Sequence, residues 1–447
     1  MYMNSWWNKL KSEVIEEGLC TRCGTCVGIC SSQAIEFYDP LGECIPRLKK
    51  SSNCDDEWIY YACPGKYVSF PELNNFVFGR QPQNKMLGNF QKLYVGYAGD
   101  PVIRHSGASG GIISATLIYL LETHRIDGAI VLGTSETEPW QSEPKIVDTR
   151  EKIIEAAQSK YTIAPLNTVL SQLKDIDGRL AYVGLPCQVH SIRKLQMRNF
   201  SPTRKIKYII GSFCGNTLHF SSVISFLRNY GIHNYHEVVS LKYREGDWPG
   251  KMEVVLKNGL TLGLEKFYAN YLIPFHILKR CLLCTDLTNE FADISGGDAW
   301  APNYEEHGEG FSLIVGRTLS GGNLIRSMVA EGVLNLKEIN EEEAMLMHSH
   351  GYDFKKRGAF IRMNFRKNRA KSIPDYGYDL GPFSFRRELF ERLLGMLFGI
   401  CSGKISRRII EIVPPRLMGM SFNKARIFWK KLTRRIKQSG LEKFNRS

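Results

Sequence analysis

The run Cys20-Thr21-Arg22-Cys23-Gly24-Thr25-Cys26-Val27-Gly28-Ile29-Cys30 carries four thiols spaced three, three and four residues apart. Small residues between them let one tight loop wrap the corner of an iron-sulfur cube and deliver Cys20, Cys23 and Cys26 to a single [4Fe-4S] cluster. In two-cluster ferredoxins the fourth cysteine of such a run ligates the other cluster. Here the sister run is reduced to Cys54 and Cys63-Pro64, with Glu57 and Tyr60 at the places of its central thiols. The second cluster of this segment is therefore expected to be lost. By the crossing rule Cys63 then completes the surviving cluster, leaving Cys30, Cys44 and Cys54 without a cluster role. The competing assignment, with Cys30 as fourth ligand, stays open at the level of sequence. A disulfide knot is disfavoured, because cysteines three apart crowd each other and no secretory context accompanies them.

A second thiol set lies in the centre of the chain: Cys187 in Gly184-Leu185-Pro186-Cys187-Gln188, Cys214 in Ser212-Phe213-Cys214-Gly215, and Cys281-Leu282-Leu283-Cys284. All four fall at the ends of expected strands or in adjacent loops. Four such thiols are what one further cube needs. The rival is a four-cysteine zinc site, whose usual form has two Cys-x-x-Cys knuckles where this chain has one; single separated cysteines are also common as buried apolar residues.

The elements that must position these thiols can be read in order. Pro64 to Lys92 is rich in Pro, Asn, Gln and Gly and reads as a linker. Leu93–Ala98 reads as a strand, followed by Arg104-His105-Ser106-Gly107-Ala108-Ser109-Gly110-Gly111 running into an apolar helix over 112–124. Free backbone N–H groups at such a helix start can hold a phosphate. The pattern is not the Rossmann fingerprint, and a plain glycine-rich helix cap is the competing reading. Short apolar runs at 126–132, 179–183 and 206–213 then alternate with helical segments at 151–157, 166–173 and 187–197, which argues for an α/β sheet covered on both faces. Asn258-Gly259 signals an antiparallel hairpin, and 311–315 with 321–330 reads as a further strand and helix.

Composition limits the function classes. The chain of 447 residues is too long for a bare ferredoxin and long enough for two or three domains. No apolar run approaches the roughly 18 residues needed to span a bilayer, and the expectation is a cytoplasmic chain whose thiols stay reduced. The net charge of +14 is unevenly placed: residues 354–447 hold 24 Lys and Arg against 6 Asp and Glu, net +18, which leaves the first 353 residues at −4. Near the end, Phe422, Ala425, Trp429, Leu432 and Ile436 recur at steps of three and four between Lys and Arg, the pattern of a basic amphipathic helix, and Phe385–Cys401 is a second apolar segment too short to span. Three readings stay open for this tail: packing on the rest of the protein, peripheral contact with an anionic membrane, and an acidic protein partner. Its charge alone is sequence-blind toward nucleic acid, and no recognised nucleic-acid module accompanies it, which disfavours that partner.

Taken together, the thiol run, Ser106–Gly111, Ser159-Lys160-Tyr161, Gly184–Gln188, Tyr243-Arg244-Glu245-Gly246-Asp247-Trp248-Pro249-Gly250, and Cys281–Cys284 leading into Ala292-Asp293-Ile294-Ser295-Gly296-Gly297-Asp298-Ala299-Trp300 resemble the coenzyme F420 hydrogenase/dehydrogenase beta-subunit family. The expected fold is an α/β chain with α+β elements: a ferredoxin-type [4Fe-4S] domain at 1–80, a domain at 93–350 for which the resemblance implies a non-Rossmann fold holding FAD and a second [4Fe-4S] cluster, and, outside the resemblance, a basic helical extension at 351–447. The resemblance also implies FAD phosphates near Ser109, Gly110, Gly111 and Lys160, and cluster ligation by Cys187, Cys214, Cys281 and Cys284. The expected function is a flavin-dependent oxidoreductase passing electrons between clusters and FAD, with a redox partner protein and a small-molecule substrate for which coenzyme F420 is a candidate. A non-enzymatic electron carrier or cluster-bearing binding protein is the alternative. His105 and His190 are weak candidates for handling a proton, since histidines there are more often surface or satisfied core residues. The degenerate Cys54–Cys63 run and the basic tail depart from the family pattern.

Overall fold

A computed structural model describes residues 5–39 and 41–438. Eight strands form the central sheet: β1 (Lys92–Ala98), β2 (Gly128–Thr134), β3 (Ser142–Val147), β4 (Leu180–Gly184), β5 (Ile206–Ser212), β6 (Ile294–Asp298), β7 (Ser312–Gly316) and β8 (Leu334–Ile339). Their order is β8-β1-β7-β6-β5-β4-β2-β3. The centre, β6-β5-β4-β2, is parallel and both flanks are antiparallel. In the parallel strands every residue but Lys207 is buried or half-buried, as expected of strands covered on both faces. Helices α1 (Ile112–Glu122) and α2 (Pro186–Met197) each follow a strand of this sheet.

A separate three-stranded antiparallel sheet over Val238–Glu245, Lys251–Leu256 and Thr261–Glu265 contains the expected Asn-Gly hairpin, with Leu262 opposite Val254. Gly259 at φ +83° makes that turn possible. The helical segment expected over 166–173 is present, in the tighter 3₁₀ form over Leu166–Lys174.

The N-terminal segment does not stand apart. Its thiol loop ends in the short helix Thr25–Ile29, where a side chain on Gly28 would lie 2.1 Å from the Asn167 carbonyl. That absence of a side chain lets the loop press directly on the sheet domain. One hydrophobic cluster accordingly runs from Trp7 and Leu10 through Leu166 and Tyr182 to Phe360 and Tyr376. The stretch 64–92 is not a linker: Ser69 caps a helix over Phe70–Phe78, Phe70 and Leu73 are core, and Val68 and Phe70 donate to the carbonyls of Asp375 and Tyr376. Its polar residues misled because Asn74, Asn84 and Asn89 are buried and hydrogen-bonded.

Beyond β8 the chain is helical, with α3 (Phe385–Cys401), α4 (Lys404–Ile410) and α5 (Pro415–Gln438). The apolar stripe expected near the end is divided. Phe422 and Trp429 turn inward, Trp429 against Phe390, whereas Ala425 and Leu432 face solvent. The inward face is completed by Met418 and by Arg426, Thr433 and Lys437, so polar residues share the contact with only part of the apolar stripe. The side chain of Ile436 lies outside the described residues.

Candidate redox sites

Cys20, Cys23, Cys26 and Cys63 line one small cavity. They lie near enough that their charges oppose one another: burial, then Cys20, Cys23 and Cys63, push the Cys26 thiol up, and burial with Cys23 and Cys20 pushes Cys63 up to about 12. Cys30 is elsewhere, with its sulfur 2.7 Å from that of Cys54 and 3.4 Å from the Ser32 hydroxyl. The place of the missing sister run is filled: Glu57–Tyr61 is a short helix, the Tyr60 hydroxyl donates to Glu13 at 2.7 Å, and Lys9 lies 4.5 Å over the Tyr60 ring. Cys44 is fully buried beside Ile163 and Leu278.

Cys187, Cys214, Cys281 and Cys284 line a second cavity, at the carboxyl ends of β4 and β5. Open α/β sheets place ligands at such strand ends. Pro186 starts α2 and fixes Cys187 in its first turn, while the Cys214 N–H donates to the Leu287 carbonyl at 2.8 Å. Two buried cations attend the set. Arg280 donates to the carbonyls of Leu19, Pro64 and Gly65 and to Tyr376, joining this set to the backbone beside Cys20 and Cys63. Lys355 is 1% exposed; burial opposes its charge, but Cys284, Cys214 and Cys281 hold it above the ordinary lysine range.

Among the described residues no three His, Cys, Asp or Glu side chains converge on one point as a single metal ion would require. A zinc site needs that convergence, with every sulfur about 2.3 Å from the metal. A four-iron cube instead takes one thiolate at each of four separated irons. Both thiol sets fit the cube on donor chemistry: four thiols each, no competing carboxylate, and buried cations beside them.

The two sets are neighbours. Cys23 raises both Cys63 and Cys187, and its sulfur is 3.7 Å from the hydroxyl of Ser191, one turn along α2 from Cys187. The central set in turn shares Leu185, Gln188, Cys214 and Thr217 with a much larger cavity of about 540 Å³. That volume lies in the range of cofactor and substrate pockets.

Several features of the large cavity suit a flavin dinucleotide. The start of α1 opens on it, and its N-cap, Gly111, provides no side-chain cap for the first N–H groups. Two lysines line it, Lys160 and Lys266, and burial pushes each down to about 8. Among the described residues Lys160 donates only to the carbonyls of Ala156 and Ala157, and Lys266 sits 4.1 Å over the Trp300 ring. Ser109 and Gly111 reach the cavity wall. Gly110 does not act as expected of a phosphate-binding residue: its N–H is engaged by the Ser312 hydroxyl at 2.9 Å, and an added side chain would lie 2.6 Å from the Gly96 carbonyl.

Of the two histidine candidates, His190 is buried, bonded to Asp286 at 2.9 Å and packed on Phe70 and Phe291, at the thiol cavity and not the large one. His105 is exposed at a side cavity of about 390 Å³ that shares Gly107–Ser109 with the large one. Sequence reasoning missed His348, which lines the large cavity and bonds to the Asp298 carbonyl at 2.7 Å. It also gave no role to Arg244, which is 3% exposed and ties Ala108 (2.6 Å), Asp298 (2.9 Å) and Tyr161 (3.2 Å) together. The signal for Arg244 was present in the Tyr243–Gly250 run; His348 stands in no motif.

The fold is thus a mixed α/β sheet with one thiol set at its strand ends and a second, N-terminal set packed beside it. The profiles described as coenzyme F420 hydrogenase/dehydrogenase, beta subunit N-term and C terminus match residues 93–171 and 177–342. The chain is 31% identical over 268 residues to the coenzyme F420 hydrogenase subunit beta of Methanococcus voltae, covering 57% of this chain and 86% of that one. It is 29% identical over 347 residues to the coenzyme F420-dependent sulfite reductase of Methanocaldococcus jannaschii, covering 74% of this chain but only 49% of that protein. A chain of the F420-reducing [NiFe] hydrogenase complex from Methanosarcina barkeri superposes with a TM-score of 0.51 at 24% identity, over 65% of this chain and 97% of that one. The chain belongs to the coenzyme F420 hydrogenase/dehydrogenase beta-subunit family. The family profiles end at residue 342, before α3, α4 and α5.

Proposed function

We propose that this chain is a flavin-dependent oxidoreductase that carries electrons between a redox partner protein and a small-molecule substrate, for which coenzyme F420 is the leading candidate. The observation that carries the reading is the succession of adjoining sites: the Cys20 set, the Cys187 set, then the 540 Å³ cavity, each sharing wall residues or close contacts with the next. In this reading residues 1–80 bear the first [4Fe-4S] cluster on Cys20, Cys23, Cys26 and Cys63. Residues 93–350 bear the second on Cys187, Cys214, Cys281 and Cys284, with FAD in the large cavity, and residues 351–447 are an extension.

Bound flavin would exchange electron pairs with the substrate while the clusters pass electrons singly. The chain's own residues supply placement. The N–H groups at the start of α1, with Lys160, receive the phosphates. Arg244 fixes the glycine turn to Asp298, and Trp300 with Lys266 borders the cavity where a substrate would meet the flavin. Arg280 and Lys355 offset the negative charge of thiolate-bound clusters in the dry interior.

The test is a cofactor inventory of anaerobically reconstituted protein. Two cubes give about eight iron atoms per chain, and Cys281→Ala should leave about four with flavin retained. Wild-type iron that never exceeds one cube's worth, or protein that binds no flavin, refutes the reading; iron and sulfide without flavin would favour the carrier alternative.

A further inference from the structure

Helices α3, α4 and α5 are fastened by their inner faces. Arg387 of α3 pairs with Asp353 at 2.8 Å, and Glu391 pairs with Arg362 and Arg387, all four side chains being buried. Ile410 of α4 is 1% exposed in the cluster that contains Phe226 and Leu227, and Glu411 holds Ser225 and Arg228. Gly419 of α5 lies so close to Tyr268 that a side chain there would approach it to 2.4 Å. The extension is thus part of the folded body.

Its outer faces are apolar to an unusual degree. Leu393, Met396 and Ile400 of α3, Ile405 and Ile409 of α4, and Phe428 of α5 are all exposed, and Ile405 and Ile412 reach 77% and 82%. Scattered exposed leucines need no explanation, but exposed Leu389, Leu393, Met396, Leu397 and Ile400 recur at helical spacing along α3, and Ile405, Ile409 and Ile412 along and just after α4, and apolar stripes of this kind mark an interaction surface. Among them stand exposed Arg386, Arg392, Lys404, Arg408, Lys424 and Lys431. Acidic residues do not balance them: the segment Phe385–Gln438 contains Glu388, Glu391 and Glu411, and the last two are engaged inward. No helix among the described residues is long and apolar enough to cross a membrane.

We propose that the outer faces of α3, α4 and α5 form a docking surface for an anionic lipid bilayer, lying in the headgroup plane with the apolar side chains inserted and the Lys and Arg side chains on lipid phosphates. Charge complementarity selects this occupant. A second copy of the chain would bring like charges together, since it would present the same basic face. The surface is independent of which cofactors the redox sites bind.

The experiment is flotation of the full-length holoprotein with vesicles of phosphatidylcholine containing phosphatidylglycerol, and with vesicles of phosphatidylcholine alone. Binding should require the anionic lipid and weaken with salt. Lys404→Gln with Arg408→Gln should weaken it about 30-fold, at about 1 kcal/mol per basic residue. Ile405→Asp with Ile412→Asp should abolish it while iron content, flavin content and elution volume stay those of wild type. The proposal is overturned by equal binding to neutral vesicles, by variants that bind like wild type, or by absence of binding. In that last case light scattering assigns the face to a second copy if the protein is dimeric and to a protein partner if it is monomeric.

Discussion

Replacing Arg280 by methionine keeps an unbranched apolar stem of similar length and removes the guanidinium that spans the two thiol sets. Arg280 is 3% exposed and donates to Leu19 at 3.0 Å, Gly65 at 3.0 and 3.2 Å, Pro64 at 3.3 Å and the Tyr376 hydroxyl at 3.1 Å. Tyr376 keeps a partner, because its own hydroxyl donates to Leu283. Among the described residues the three carbonyls have no other donor, and each buried acceptor left without one costs about 1–3 kcal/mol. Three such acceptors sum to about 3–9 kcal/mol, the lower end applying where the carbonyls shift to find other donors. Leu19 precedes Cys20, and Pro64 and Gly65 follow Cys63, so the cost falls on the backbone that presents two thiols of the N-terminal set. Thermal unfolding of Arg280→Met should therefore begin several degrees lower. On exposure to a chelator its iron should fall rapidly from about eight toward about four atoms per chain, the central cube remaining. Arg280→Lys should be intermediate. Wild-type stability with wild-type iron retention, or equal loss from both sets, would refute the assignment of Arg280 as the strut of the N-terminal loop.

Cys63→Ala should reduce iron from about eight to about four atoms per chain while Cys30→Ala leaves it near eight, measured after reconstitution; the opposite pattern would make Cys30 the fourth ligand. Lys160→Met should weaken flavin binding by about ten- to a hundredfold, the worth of a charge-assisted hydrogen bond, in a fluorescence titration; unchanged affinity would remove Lys160 from the phosphate site. Gly110→Val is expected to destabilise the fold itself, visible as a lower melting temperature without flavin, because the new side chain meets the Gly96 carbonyl. His276 is fully buried, and burial, then Arg407 and His219, push it from 6.5 to about 3. Between those values the unfolded chain binds a proton that the folded one does not, so stability falls as pH drops below about 6.5. His276→Asn should flatten that fall in melting curves at about pH 7 and about pH 5, and an unaltered slope would show that another group carries it.

The alternation of apolar runs and helical segments located β1, β2, β4, β5 and β7 to within about two residues, because strands buried on both faces announce themselves by continuous apolar sequence. β3 was not visible: Ser142–Val147 contains Glu143, Pro144 and Lys145 and is half-exposed at the sheet edge, where such residues are tolerated. The segment 64–92 looked like a linker since its asparagines are polar by type, and only the folded arrangement shows their partners. Thiol spacing grouped Cys20, Cys23 and Cys26, and the crossing rule brought in Cys63, which the fold places in the same cavity. The closeness of Cys23 to Cys187 could not be read, because it depends on Gly28 meeting Asn167 across more than a hundred residues of chain. In α5 the periodicity gave a helix correctly but not its inward face, since both sides carry apolar residues and Arg426 and Lys437 turn toward the protein.

In the proposed function the two thiol sets hold neighbouring [4Fe-4S] clusters. Electron paramagnetic resonance of the fully reduced, reconstituted protein tests it directly. Neighbouring clusters should give the broadened signal of two magnetically interacting centres, collapsing in Cys281→Ala to that of one isolated cluster. Two independent signals that do not interact, or a wild-type spectrum identical to that of Cys281→Ala, would contradict it.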